Sequence, residues 1–183
     1  MDKNEFLKEL KKYGLKNDIP NISEKNAYFL RDIIFLSKSK NILEIGTANG
    51  YSTIHFAQEV RKNKGKVTTI EFSIKSHNDA LKNFKKAEVS DFIEAIHGNA
   101  LDIIPKIRKK FDFIFIDGMK KRSLDFLLLA KKKIKKGGII IIDDVIKFKN
   151  KMENLYIYLE ENKEVFTILP IDEDDGIMMI INR

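Results

Sequence analysis

The sequence predicts an α/β protein: a doubly wound sheet of seven strands, mostly parallel with the last strand antiparallel, and helices on both faces. Three observations lead there. From residue 41 onward, short apolar runs of strand length alternate with stretches of helical period, the pattern of a parallel sheet covered by its crossover helices. The first of these runs passes directly into a glycine-rich turn and a helix start. The last two runs are joined only by residues 170–176, far too short for a helical crossover, so they must pair antiparallel.

The elements then follow in order. Residues 2–13 read as a short amphipathic helix with Phe6, Leu10 and Tyr13 on one face. A turn around Asn17-Asp18-Ile19-Pro20 comes next, and Ser23 is placed to cap a second helix bearing Ala27, Leu30, Ile33 and Ile34. Strands are expected at 41–45, 66–70, 92–97, 111–116, 139–142, 165–169 and 177–181. Helices are expected near 52–61, 74–86, 101–109, 123–134 and 152–162. The lysine-rich run 131–136 is a helix end favoured by the helix dipole. No repeat, linker or low-complexity tract divides the chain, so it reads as a single domain, with residues 1–38 a helical cover on a core of residues 39–183.

Composition narrows the classes. At 183 residues the chain can bury a sizeable core. It has no cysteine, which excludes a disulfide framework or thiolate metal site and fits a reducing, cytoplasmic location. No apolar run approaches membrane-spanning length, and the charged start Met1-Asp2-Lys3-Asn4-Glu5 lacks the apolar core of a signal peptide. The 34 Lys+Arg against 27 Asp+Glu leave +7, an excess of the kind nucleic-acid partners select. Here it is spread through a chain rich in Lys, Ile and Asn, and reads as incidental.

The chemistry centres on residues 41–54, which read as buried strand, glycine turn and helix. Ile42, Leu43 and Ile45 form the strand, and Ser52 and Thr53 open a helix that carries Ile54, Ala57 and Val60 inward. The spacing Gly46-x-x-x-Gly50 is neither Gly-x-Gly-x-x-Gly nor a phosphate loop with Gly-Lys-Ser/Thr. Glu44, just ahead of the first glycine, would repel a pyrophosphate and suit a cofactor bearing an ammonium group and a sulfonium. Glu71 ends the second strand, at the offset of a ribose-binding acid.

With Leu43-Glu44-Ile45-Gly46-Thr47, Gly50-Tyr51-Ser52 and Ile70-Glu71 in view, the chain resembles the class I S-adenosylmethionine-dependent methyltransferases. More narrowly it is similar to the cation-dependent O-methyltransferases of catechol and caffeoyl-CoA type, from about Ile19 to the C-terminus. Seven strands with the last reversed is that family's Rossmann-like pattern. The resemblance implies an S-adenosylmethionine site made of Glu44, Gly46, Thr47, Gly50, Tyr51, Ser52, Glu71, Phe72, Gly98, Asn99, Ala100 and Asp117. It also implies that the Pro-x-x-Ser leader and second helix help cover the active site.

After the fourth strand, Asp117-Gly118-Met119-Lys120 matches the family's Asp-x-x-Lys, whose acid binds a divalent cation and whose lysine contacts the acceptor hydroxyl. After the fifth, Asp143-Asp144 stands where the family has Asp-Asn, both metal ligands. The implied metal set is Asp117, Asp143 and Asp144, with Lys120 the catalytic base. Oxygen donors of this kind suit magnesium, with calcium or manganese as alternatives. For Lys120 to take a proton, burial and a neighbouring cation would have to depress its pKa.

Four departures from the family pattern stand out. Asn99 replaces the acid of Gly-Asp-Ala, and Asp144 replaces Asn. Only residues 146–151 separate Val145 from the next helix, where the family carries a longer loop, and Asp174-Asp175-Gly176-Ile177 replaces Gly-Asp-Gly-Leu. The acceptor pocket is therefore expected to be more open. Three functions are weighed: methylation of a small hydroxylated, catechol-like compound; methylation of a hydroxylated uridine in tRNA; and non-catalytic binding of S-adenosylmethionine. Lys120, Lys121, Arg122, Lys147, Lys149 and Lys151 could meet tRNA phosphates, whereas Asp172-Glu173-Asp174-Asp175 would repel them. A homodimer is what the family suggests.

Overall fold

The apolar runs do lie side by side. The computed structural model describes residues 3–183, with side chains from Glu5 onward, so Asp2 of the first expected helix lies outside the described residues. Seven strands form one sheet: β1 Asn41–Ile45, β2 Lys66–Glu71, β3 Ile93–His97, β4 Phe111–Ile116, β5 Ile134–Ile142, β6 Phe166–Pro170 and β7 Gly176–Ile181. Their order is β3-β2-β1-β4-β5-β7-β6. β1 to β5 pair in parallel, and β7 runs antiparallel to both β5 and β6. The strand order reverses between β1 and β4, which opens a crevice at their C-terminal ends.

Among the described residues seven α-helices cover the sheet: α1 Lys3–Lys16, α2 Glu24–Leu36, α3 Tyr51–Val60, α4 Ile74–Lys86, α5 Ala100–Ile103, α6 Ser123–Lys133 and α7 Glu153–Glu161. Alternation along the strands decides which side chain meets which layer. Ile42, Val67, Phe113, Phe115 and Ile141 pack beneath α1 to α4. Leu43, Ile45, Ile114, Ile116, Ile140 and Ile142 pack beneath α5, α6 and α7. Phe56 of α3 sets its ring edge-to-face on Phe113 and Phe115, at centroid distances of 6.1 and 5.4 Å. Ser23 caps α2 as expected, its hydroxyl accepting from the Asn26 amide at 2.9 Å. No described helix is long and apolar enough to cross a membrane.

Three elements differ from expectation. The helix expected at 101–109 is one α-turn followed by a 3-10 turn, Ile104–Lys106, because Pro105 has no amide hydrogen to continue the ladder. β5 starts at Ile134, not 139, and its pairing jumps from Phe111↔Ile134 to Phe113↔Ile139. The extra residues bulge out around Gly137, whose φ of +76° permits the turn and whose amide donates to the Asn182 carbonyl at 2.6 Å. Finally, α3 is buried on every side, including His55, Gln58 and Glu59, because α1 and α2 cover the face turned away from the sheet.

Candidate active site

The crevice holds a cavity of about 650 Å³. Of the expected cofactor residues, Gly46, Thr47, Ser52, Glu71, Phe72, Gly98, Asn99, Ala100 and Asp117 line it. Gly46 is glycine for two reasons. Its φ is +98°, and a Cβ there would lie 2.3 Å from the Asp117 carbonyl oxygen just past the end of β4. Glu71 uses its carboxylate on the loop itself, accepting from the amides of Thr47 (3.0 Å), Ala48 (2.9 Å) and Ser73 (2.8 Å). A carboxylate has about four acceptor positions, which leaves roughly one for a ligand. Asn99 caps α5 by accepting from the Leu101 amide at 3.1 Å. Phe72 is 76 % exposed over the cavity, an aromatic face with no apolar cover.

Three residues of the expected cofactor set sit elsewhere. Gly50 lies against the Phe84 ring, and its left-handed φ of +87° starts α3. Tyr51 lines a separate cavity of about 260 Å³ with His55, at 4.8 Å between ring centroids. Glu44 shares the parity of Ile42 and points under α3, away from the crevice. It is fully buried and accepts from the hydroxyls of Ser52 (2.6 Å), Thr53 (2.5 Å) and Thr69 (2.7 Å). Burial pushes its pKa up to about 7, against those hydroxyls, which favour the charged form. Its place is that of a brace joining β1, β2 and α3.

A second cavity of about 400 Å³ adjoins the first at Asp117 and Asp144, which line both, together with Pro20, Asn21 and Ile22 of the leader. Asp117, Asp143 and Asp144 each offer a carboxylate oxygen within 4.8 Å of the others. Burial raises the pKa of all three, and for Asp143 the charges of Asp117 and Asp144 add to it. Lys120 is the counter-charge, its Nζ 2.7 Å from Asp117 and 2.6 Å from Asp144. Burial alone would lower the Lys120 pKa, but the two carboxylates outweigh it and hold it above the ordinary lysine value. That is opposite to the depression expected for a base. Asp144 adopts φ +58°, a left-handed conformation that Asp and Asn tolerate.

The model of a family described as "O-methyltransferase" matches residues 1–166. This chain belongs to the O-methyltransferase family. It is 35 % identical over 130 residues to the catechol O-methyltransferase of Niastella koreensis and 32 % identical over 127 residues to that of Mycobacterium tuberculosis. Those matches cover 69 % of this chain in both cases, but only 58 % and 57 % of the relatives. Among solved structures, the O-methyltransferase from Bacillus cereus in complex with SAH is 28 % identical and superposes with a TM-score of 0.83, over 97 % of this chain and 90 % of that one.

In this O-methyltransferase-family chain, some residues at the two cavities carried no obvious sequence signal. Met119, 68 % exposed, and Phe126 line the first cavity, beside Arg122, which the sequence offered only as a phosphate contact. Asn26 of α2 donates to Asp143 at 2.9 Å. It stands four positions before Leu30, a polar residue on an apolar helical stripe, and that was the available signal. Lys11 of α1 donates to the carbonyls of Asn21 (2.8 Å) and Ile22 (2.5 Å), pinning the leader over the site.

Proposed function

We propose that this chain is an S-adenosylmethionine-dependent O-methyltransferase acting on a small compound with neighbouring hydroxyls, with a divalent cation at Asp117, Asp143 and Asp144. The observation that carries it is the junction of two cavities at Asp117 and Asp144, the two acids that Lys120 bridges. A methyl donor in one and an acceptor in the other would meet there. Family membership supports the reaction class, and the names of the curated relatives support a catechol-like acceptor.

The residues fit the cofactor. The first cavity is of small-molecule size, approached by glycine backbone, with a carboxylate and an exposed aromatic on its wall. Glu71 has the acceptor position for a ribose hydroxyl, Phe72 the face for a base, and Asp117 the charge for an ammonium group. S-adenosylmethionine supplies a methyl group activated as a sulfonium. The residues also fit a hard cation, since three clustered carboxylate oxygens are its usual donors and repel one another without a counter-charge. When bound, such an ion polarises a hydroxyl and lowers its pKa.

What the chain itself does is alignment and proton handling. Asp117 and Lys120, three residues apart on the turn after β4, aim at the same point. Paired as it is, Lys120 is an ammonium at neutral pH. It becomes a base only when Asp117 and Asp144 turn their charge to another cation, so proton removal from the acceptor is tied to a filled site. Asp172, Asp174 and Asp175 line the acceptor cavity, which favours a small molecule over a phosphate backbone.

The test is transfer of labelled methyl to a catechol panel and to bulk tRNA, each with and without chelator. Transfer to catechols that chelation abolishes is the expected result. Transfer to tRNA alone would change the acceptor, and S-adenosylmethionine binding with no transfer to either would leave a binding domain.

A further inference from the structure

Two buried oxygens beside the acid cluster have no hydrogen-bond partner among the described residues: Oδ1 of Asn26 and Oδ2 of Asp175. Asn26 is 3 % exposed and Asp175 8 %, and both line the acceptor cavity with Asp117, Asp143 and Asp144. Buried acceptors are nearly always satisfied, and two orphans in one acid-lined cavity call for a donor or a cation. The Asn26 amide is oriented by its Nδ2–H, which donates to Asp143, so its oxygen faces elsewhere. Asp175 spends Oδ1 on three backbone amides, those of Ile146 (3.1 Å), Lys147 (3.1 Å) and Gly176 (2.7 Å). That clamp fastens the start of β7 to the turn after Asp144 and fixes where Oδ2 points. Oδ2 is left as a free acceptor, in a cavity that Asp175 lines together with Asp144.

We propose that Asp175 and Asn26 complete the cation site, Asp175 as a fourth acid and Asn26 as an amide acceptor, each meeting the ion directly or through its water shell. This rests on the cation reading above. It assigns the residue before Gly176 a role toward the ion, and gives α2 a contact with the site beyond covering it. A hard divalent ion takes six or more oxygens, so donors beyond the three acids have places to fill.

The experiment is calorimetric titration of the full chain with magnesium, repeated with manganese followed by electron paramagnetic resonance. Wild type is compared with Asp175→Asn, Asn26→Ala and Asp174→Asn. Asp175→Asn keeps an oxygen for the three amides, so the clamp survives while the charge is lost. Asn26→Ala reaches the site from a different element, should the first variant fail to fold. Asp174 is the control: it is in the same hairpin, but its carboxylate is exposed and paired with Lys147 at 2.6 Å. The expected result is at least tenfold weaker magnesium binding in Asp175→Asn, several-fold weaker in Asn26→Ala, a changed manganese spectrum in both, and a change within twofold in Asp174→Asn. Wild-type affinity in both Asp175→Asn and Asn26→Ala overturns the proposal while leaving the three-acid site intact. Tighter binding in Asp175→Asn also overturns it, because an acid that helps to hold the ion cannot be neutralised with a gain in affinity. Absence of magnesium binding in wild type removes the cation reading itself and this proposal with it.

Discussion

Two buried charges show how much at the residue scale depends on a partner. Lys120 bridges Asp117 and Asp144, and under the proposed reaction its amine takes the acceptor's proton. Lys120→Ala is expected to cut turnover by about 10²–10⁴, the usual range for a lost general base, with S-adenosylmethionine affinity nearly unchanged by calorimetry. Lys121→Ala, next in sequence but outside both cavities, should cost little with a small acceptor. Equal losses in the two variants would show that positive charge in general had been mistaken for a base. Glu44 is the second case. Its folded pKa of about 7 lies above the ordinary 4.5, so the stability it contributes is fully present below pH 4.5 and is lost as pH rises through 7. Glu44→Gln cannot ionise. Its stability relative to wild type should therefore improve from pH 4.5 to pH 7.5, by roughly 3 kcal/mol at most, read from urea midpoints. A gap independent of pH would mean that Glu44 stays ionised and fully compensated in the fold.

At the scale of elements, the same residue type carries different constraints in the β1–α3 loop and in the β5 bulge. Gly46 has both a left-handed φ and the Asp117 backbone where a Cβ would go, whereas Gly137 has a left-handed φ and nothing within 4 Å. Gly46→Ala therefore adds a clash with the main chain to the backbone strain. It should destabilise by more than about 2 kcal/mol and weaken cofactor binding as β1 and β4 are forced apart. Gly137→Ala carries the strain alone, about 1–2 kcal/mol, and should leave cofactor affinity unchanged. Chemical denaturation and calorimetry on both variants separate the two terms. Equal destabilisation would mean that the β1–β4 crevice yields more readily than its packing suggests. Ala48, two residues after Gly46, at φ +47°, and Asp144, at φ +58°, put left-handed non-glycine residues at the site itself, the kind of local strain that functional loops retain.

At the scale of the molecule, the site draws on α1, α2, the β1 loop, the turns after β4 and β5, and the 172–175 hairpin. An ion that binds the folded cluster and not the unfolded chain must stabilise the whole protein. Magnesium at a hundred times its dissociation constant should add about 2.7 kcal/mol. For a chain of 183 residues this raises Tm by roughly 5–10 °C in differential scanning calorimetry. Asp143→Asn should lose most of that shift, because it removes the most deeply buried of the three acids. A wild-type Tm that ignores magnesium would argue that Lys120 alone balances the cluster.

The sequence by itself determined the layered architecture and the chemistry at the strand ends. Periodicity reports which face of each strand and helix is apolar, and the short 170–176 connection leaves antiparallel pairing as its only solution. Residues at or just past the ends of β1, β2 and β4, among them Gly46, Glu71 and Asp117, were legible because a doubly wound sheet brings strand ends to one crevice. Only the tertiary structure decided what shares that crevice across long separations. Glu44 looked like a cofactor ligand by its distance from Gly46, yet strand parity turns it under α3 into three hydroxyls. The bulge at Gly137 was invisible because it is held by backbone pairing with Asn182, which side chains do not encode. Asn26 meets Asp143 across 117 positions, and Asp175 meets the turn after Asp144 from the far side of β7. Such contacts depend on how helices and hairpins pack, which local sequence pattern does not specify. The sign of the Lys120 pKa shift follows for the same reason: burial could be anticipated from the motif, but two carboxylates converging on one amine could not.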